Sequence, residues 1–462
     1  MVDLPSLFNS AIQKRERGMM KPFVRIGYIL ACCALLTVGS GRAWAKTDLI
    51  WWHSMPGALG AWIDDLANGF NSQNPDYRIV PKYQGSYDAS MQAALAAHGQ
   101  GKAPHMVQVF EVGTATMMAA RDVIRPVYEV MAQAGLDFLD NAYLPAVQLY
   151  YSSLDGKLLS LPLNSSTPVL VVSRKALAQA GLPPGQVPTT WPEVETMARS
   201  LLKSGYECGF TSQWQSWILL ENMSAWHDVP FASKQNGIGG IDIELKFNSP
   251  FHVHHVEKLA SWVKDKVFVP IGRRDEALAK FLDGTCPMLL ATSASYGELK
   301  ASTNRDFAIG MLPYWPEIQW APRNSIIGGA TLWVMNGHPP GDYTGIAQFF
   351  QYLSTPEVQA ASHQRTGYLP ITRAAYSLSR RQGFYEGNPE AEMAIKQITL
   401  HWPTENSRGV RLGNFVAIRA VIDQQLDAIW AGKVTAQQGL DEAVRKGNEL
   451  LKAFARDVTV KR

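Results

Sequence analysis

Between Asp48 and Val123 the chain alternates short apolar runs with helical repeats, and that alternation constrains its fold more than any other feature. "DLIWWHS" (Asp48–Ser54) predicts a strand. Leu59, Trp62, Ile63, Leu66 and Phe70 then recur at helical spacing. "YRIVPKYQ" and "HMVQVFEV" predict two more strands, and "DASMQAALAAHG" and "ATMMAARDV" predict the helices that follow them. Strands alternating with helices imply a mainly parallel sheet covered on both faces, so the fold class is α/β. Ligands of such sheets sit beyond the C-terminal strand ends. Tyr87 and Glu111 fall at the ends of the second and third strands, which makes them site candidates by position alone.

The pattern resumes downstream. "PLNSSTPVLVVSRKAL" (Pro162–Leu177) reads as a strand and a helix, with Asn164, Ser165, Ser166 and Thr167 interrupting the apolar run. Thr190 predicts an N-cap for the helix that follows it. "CPMLLATSA", "FAIGMLPYW" and "GGATLWVM" are further strands; from Phe415 onward the spacing is helical, through Ile418, Val421, Ile422, Leu426 and Ile429. At 462 residues the chain exceeds one ordinary core, so two lobes are expected.

The N-terminus reads as a leader. Lys14, Arg15, Arg17, Lys21 and Arg25 precede the apolar run "IGYILACCALLTVG", which is too short to span a bilayer comfortably. "AWA" at Ala43–Ala45 supplies small residues for cleavage after Ala45. This reading is compatible with a translation start at Met19 or Met20; a lipidated Cys32 in "ILAC" and a retained anchor are the alternatives to it. Residues 1–45 hold six of the 43 Lys/Arg and two of the 40 Asp/Glu, leaving 37 basic and 38 acidic residues and a net charge near −1. The basicity belongs to the leader, so nucleic-acid binding loses its compositional support.

Cys32 and Cys33 leave with the leader. Cys208 and Cys286 remain in an oxidising compartment, where a disulfide and two buried thiols are both open. "FHVHHVEK" raises a metal reading through His252, His254 and His255, but it has no matching cluster elsewhere and reads as an exposed helix start. No metal or cofactor is expected. No nucleophile elbow, HExxH helix, phosphate-cradling loop or dinucleotide fingerprint is present, so the chain is not expected to be an enzyme.

Several stretches carry a more specific likeness: "WWHSMPGALG", "NPDYRIVPKYQGSY", "FEVGTATMMA", "NSSTPVL", "WQSWILLENMSAW", "IIGGATLWVM", "TGYLPIT", "GFYEGNPEAE" and "RLGNFVAIR". From about Leu49 to Leu451 the chain resembles the periplasmic solute-binding proteins for sn-glycerol-3-phosphate of ABC importers. The resemblance implies two α/β lobes of the maltose-binding-protein kind, joined by hinge segments, with the ligand in the cleft. Residues 46–163 and 306–368 would form the N-terminal lobe, and residues 164–305 and 369–462 the C-terminal lobe. The crossings would fall near "LPLNSSTPVL", "FAIGMLPYW" and "TGYLPIT".

The resemblance also implies a site of Tyr87, Glu111, Ser166, Trp214, Trp217, Thr292, Gly329, Tyr368 and Arg419. Arg419 would grip phosphate oxygens, which a planar guanidinium does better than an ammonium. Ser166, Thr292 and Tyr368 would give hydroxyls to the same phosphate, with the N–H of Gly329. Glu111 and Tyr87 would take the polyol hydroxyls at the opposite end, and Trp214 and Trp217 would cover the carbon skeleton. Thr292 stands where the family usually has Ser. The expected function is capture of glycerol-3-phosphate or a glycerophosphodiester such as glycerophosphocholine in the periplasm, by a monomer that delivers it to the membrane subunits of an importer. A maltooligosaccharide ligand and a periplasmic phosphodiesterase are the alternatives.

Overall fold

In the computed structural model, which describes residues 45–136, 142–302 and 306–460, the first strand β1 (Thr47–His53) lies between β2 (Tyr77–Tyr83) and β3 (Met106–Phe110), and pairs in parallel with both. The helix Gly57–Gln73 returns the chain from β1 to β2, burying Trp62, Ile63, Leu66 and Phe70 as the helical spacing requires. The helix Tyr87–His98 does the same between β2 and β3.

The centre of this sheet departs from the parallel expectation. β10 (Gly328–Met335) runs antiparallel to β3, to β4 (Ile124–Arg125) and to β5 (Leu161–Ser166). A strand that returns from elsewhere in the fold enters the sheet from the end at which the others leave it, and β10 does so. A second sheet has the order β7 (Thr211–Ser212), β8 (Met288–Thr292), β6 (Pro168–Ser173), β9 (Phe307–Gly310). Only β7 and β8 are parallel there.

Ser166 ends β5 in the first sheet and Pro168 begins β6 in the second, so Thr167 alone separates the two sheets. Its hydroxyl pairs with Ser325 Oγ and accepts from Gln397 Nε2 at 3.1 Å. Asn164 is equally buried and bonded, so two of the four polar residues in "NSST" are structural ties at the junction. β9, assigned above to the N-terminal lobe with a boundary at 306, pairs with β6 in the second sheet. The return crossing therefore follows Gly310. Nearby, Leu369 N–H donates to Ser165 O at 2.7 Å, which sets Tyr368 beside the first crossing.

Thr190 caps the helix Trp191–Lys203 as expected, with its Oγ1 accepting from Glu193 N at 3.3 Å and Glu193 Oε2 accepting from Thr190 N at 3.0 Å. The leader and its cleavage site lie outside the described residues apart from Ala45. Among the described residues no helix is long and apolar enough to cross a membrane.

Cys208 and Cys286 form a disulfide with a Cα–Cα distance of 4.8 Å and a sequence separation of 78. It fastens the approach to β7 onto the start of β8. A disulfide of this kind typically contributes about 2–4 kcal/mol, mainly by constraining the unfolded chain. Cys208→Ala/Cys286→Ala should therefore lower unfolding free energy by about that much, measured by denaturant titration with and without reductant. Reductant should shift the wild type alone.

Candidate functional site

β3 delivers the first site residue. After Phe110 the chain turns into the short helix Glu111–Gly113, which aims the Glu111 carboxylate off the strand end. Its backbone is anchored, because Tyr150 Oη donates to Glu111 O at 2.9 Å and to Val410 O at 2.7 Å. Glu111 Oε2 accepts the N–H of Gly329 at 3.2 Å. Gly329 has φ +114, and a Cβ there would lie 2.1 Å from Asn164 O. Only glycine can hold that amide in place.

The partner of Glu111 comes from the far end of the sequence. Arg419, on the helix Phe415–Trp430, places Nη2 2.8 Å from Glu111 Oε1. Its Nε and Nη2 also donate to Glu221 Oε1 and Oε2 at 2.6 and 2.7 Å, a bidentate pair. The guanidinium lies 5.2 Å over the Phe415 ring. Glu221 is 1 % exposed and closes the π-helical turn Trp217–Glu221. Such turns interrupt the regular ladder and recur at functional sites.

Burial alone would lower the guanidinium's affinity for its proton. The charges and hydrogen bonds of Glu221 and Glu111 outweigh that, so Arg419 stays charged. Burial raises the Glu221 carboxyl above its ordinary range against the pull of Arg419. One turn along the same helix, burial lifts Asp423 to about 6, opposed by Arg419 and a Ser216 hydrogen bond. The folded Asp423 thus keeps its proton to higher pH than the unfolded one, so ionising it costs stability. That cost is absent below about pH 4 and complete above about pH 6. Asp423→Asn should match the wild type near pH 4 and exceed it by about 3 kcal/mol at pH 7, as read by denaturant titrations across pH. A difference that does not change with pH would exclude this account.

A second group forms around Tyr87. Its ring stacks on Phe110 at 5.2 Å, and its hydroxyl accepts from Asn164 Nδ2 at 3.4 Å. Gln108 Nε2 donates to Asn164 Oδ1 at 2.9 Å, and Gln108 Oε1 accepts Ser54 N–H at 2.9 Å. This buried chain of side chains fixes the Tyr87 hydroxyl from behind. Burial raises the phenols of Tyr87 and Tyr368, and each acts on the other or on Asn164, so the two hydroxyls stand together as neutral donors.

Ser166 is opposite Gly328 in the β5–β10 register. A Cβ on Gly328 would lie 2.7 Å from Trp217 Cζ2, so this glycine lets the Trp217 ring lie against the start of β10. The Trp217 indole N–H is buried with no hydrogen-bond partner among the described residues. Thr292 ends β8 opposite Pro168. Its Oγ1 accepts Ala294 N–H at 3.3 Å, leaving the hydroxyl proton to donate. Trp214 is linked to the Tyr87 and Tyr368 group through Asp275, whose charge acts on both phenols. It is half-buried with φ 43, its Nε1 donates to Asp275 Oδ1 at 2.6 Å, and Arg274 lies 5.2 Å over its ring.

Glu111 and Arg419, expected above to take opposite ends of a ligand, are in direct contact with each other in this structure. One expectation changes. His252 and His255 are buried rather than exposed. His252 bonds Ser224 Oγ and Ser249 Oγ at 2.8 and 2.7 Å, and His255 Nδ1 accepts from Trp315 Nε1 at 3.1 Å; only His254 faces solvent. Burial pushes His252 down to about 3, so its ring is neutral. Among the described residues the His/Cys/Asp/Glu group compact enough for a cation is His105, His338 and Asp342. His105 Nδ1 already accepts Ile50 N–H at 3.0 Å, and its Nε2 faces Asp342 Oδ2 at 3.2 Å. It stands at the opposite end of β3 from Glu111.

Sequence reasoning passed over Glu221, Asp423 and Asp275. The signal for Glu221 was present in "WILLENMSAW", where one acid sits inside an apolar run and therefore requires a buried partner.

The family model for bacterial extracellular solute-binding proteins matches residues 65–391. The chain is 47 % identical over 436 residues to the sn-glycerol-3-phosphate-binding periplasmic protein UgpB of Escherichia coli (strain K12), covering 94 % of this chain and 99 % of that one. Identity to UgpB of Yersinia pseudotuberculosis is 46 % over 424 residues, 92 % and 96 % of the two chains. Among solved structures, UgpB from Mycobacterium tuberculosis in complex with glycerophosphocholine has a TM-score of 0.75 at 20 % identity, covering 88 % of this chain and 99 % of that one. Maltose-bound MalE3 of T. maritima has a TM-score of 0.71 at 16 % identity, with the same coverage. These two share the fold with the present chain: two α/β sheets bridged by crossing segments.

Proposed function

The chain belongs to the bacterial extracellular solute-binding proteins, and from that premise we propose that it captures sn-glycerol-3-phosphate or a glycerophosphodiester in the periplasm and delivers it to the membrane subunits of an ABC importer. The observation that carries this reading is the contact between Arg419 and Glu111 beside the Gly329 N–H, at the junction of the two sheets. One guanidinium, one fixed amide and the hydroxyls of Ser166, Thr292 and Tyr368 are donors suited to a phosphoryl group. Glu111 and Tyr87 are suited to glycerol hydroxyls, and Trp217 to the carbon skeleton. Trp214 contributes at the rim.

Glu221 holds Nε and one N–H of Nη2, so Nη1 and the Nη2 N–H that Glu111 occupies are the donors that the guanidinium can offer to phosphate. Ligand contacts come from both lobes. The first sheet, β10 included, with the helices that cover it forms one, and the second sheet with the C-terminal helices forms the other. Such contacts exist together only when the lobes close, so ligand shifts the population to the closed form. The protein acts as a monomer and breaks no bond. Calorimetric titration of the mature chain should show saturable heat with glycerol-3-phosphate or glycerophosphocholine and none with maltotriose. The reverse pattern would reject the reading, and release of choline from glycerophosphocholine would identify a phosphodiesterase instead.

A further inference from the structure

We propose that Glu111 is the selectivity filter of this site: it admits oxyanions that carry a hydroxyl donor and excludes those that carry none, sulfate foremost. The proposal rests on the ligand class given above and adds what the site refuses. Glu111 occupies, from within the protein, two donors that any oxyanion would seek, Arg419 Nη2 at 2.8 Å and Gly329 N–H at 3.2 Å. An incoming anion competes with this carboxylate and, having displaced it, remains beside it. An ionised carboxylate only accepts hydrogen bonds. Once moved off Arg419 and Gly329, it is satisfied only by a donor that the ligand brings. A glycerol hydroxyl is such a donor. Sulfate at neutral pH has no proton to give, so it would leave a buried carboxylate unpaired and facing a like charge.

Three features make this a specific role rather than a structural tie. The bidentate pair with Glu221 already orients Arg419, so the guanidinium does not need Glu111 to hold its place. The Gly329 amide is fixed by its own backbone and by the wall at Asn164 O, so it does not need Glu111 either. With two carboxylates on one guanidinium, the group has a formal charge of −1 and no net attraction for a bare anion.

The test is calorimetry with sodium sulfate and with glycerol-3-phosphate, on the wild type and on Glu111→Gln, which keeps the shape but replaces one acceptor oxygen with a donor. The variant should gain sulfate affinity and lose glycerol-3-phosphate affinity, each by about tenfold or more, the scale of one charge-assisted hydrogen bond. A folded Glu111→Gln that binds sulfate no better than the wild type overturns the proposal. Should the variant not fold, the wild type decides alone: excess sulfate must displace glycerol-3-phosphate no more than chloride of matched ionic strength, and displacement beyond that overturns the proposal. Failure of the wild type to bind glycerol-3-phosphate or its diesters is a separate result. It removes the ligand reading, while a gain of sulfate binding in Glu111→Gln would still uphold the filter.

Discussion

Arg419→Ala is expected to weaken glycerol-3-phosphate binding by about a hundredfold or more and to destabilise the fold by about 3–5 kcal/mol. The first effect follows from removing the guanidinium that contacts Glu111 at the junction of the two sheets. The second follows from Glu221, which is 1 % exposed and would be left as an uncompensated buried carboxylate. From sequence alone, Arg419 looks removable without harm to the fold, because a single cation on a helix shows none of its partners. The two effects are separable. Arg419→Met/Glu221→Gln removes both charges and should recover most of the stability, since replacing a buried ion pair by neutral groups of similar volume is often close to neutral. It should recover none of the binding. Denaturant titration beside calorimetry checks both. A double variant that regains affinity would mean that Arg419 serves only to neutralise Glu221.

Gly329→Ala is expected to have the other large effect, a loss of about 3 kcal/mol or more of stability, with binding lost as well. The residue sits at φ +114, and the new Cβ would be 2.1 Å from Asn164 O and 2.9 Å from the Ser165 Cα. All three nearest atoms are backbone, so no side chain can swing away. β10 must shift from β5, taking with it the N–H that Glu111 Oε2 accepts. Gly85 is a suitable control, because it has φ +81 and a Cβ added there would meet nothing within 4 Å. Gly85→Ala should therefore cost only its own backbone strain, about 1 kcal/mol. Equal melting shifts for the two variants would show that the wall at Asn164 carries no energy.

The strand–helix alternation from β1 to β3 was legible because each element buries its apolar face locally. Tyr87 and Glu111 could be placed at strand ends for the same reason. The polar run Asn164–Thr167 could be assigned to a junction, but not divided into its parts. Thr167 bonds Ser325 and Gln397, residues more than 150 positions downstream, and no local pattern encodes such partners. Distance in sequence also explains the errors. β9 and β10 read alike as short apolar strands, yet β9 joins the second sheet and β10 the first, and β10 is antiparallel because it returns from the second. His252 and His255 looked exposed because "FHVHHVEK" is polar in sequence. Their partners Ser224 and Trp315 lie on other segments and satisfy them in the core. The pair Glu111–Arg419 joins residues about 300 positions apart. The site residues were therefore nameable one by one, while the charge balance among them emerged only when the chain was folded.

The central claim is that a phosphoryl group sits at the sheet junction on the Arg419 guanidinium and the Gly329 N–H. A crystal structure of the mature chain grown with glycerol-3-phosphate tests it most directly. It should show phosphate oxygens within hydrogen-bond distance of both donors, Glu111 turned to a glycerol hydroxyl, and Glu221 still bidentate on Arg419. A phosphate bound elsewhere, with Glu111 still seated on Arg419 and Gly329, would contradict it.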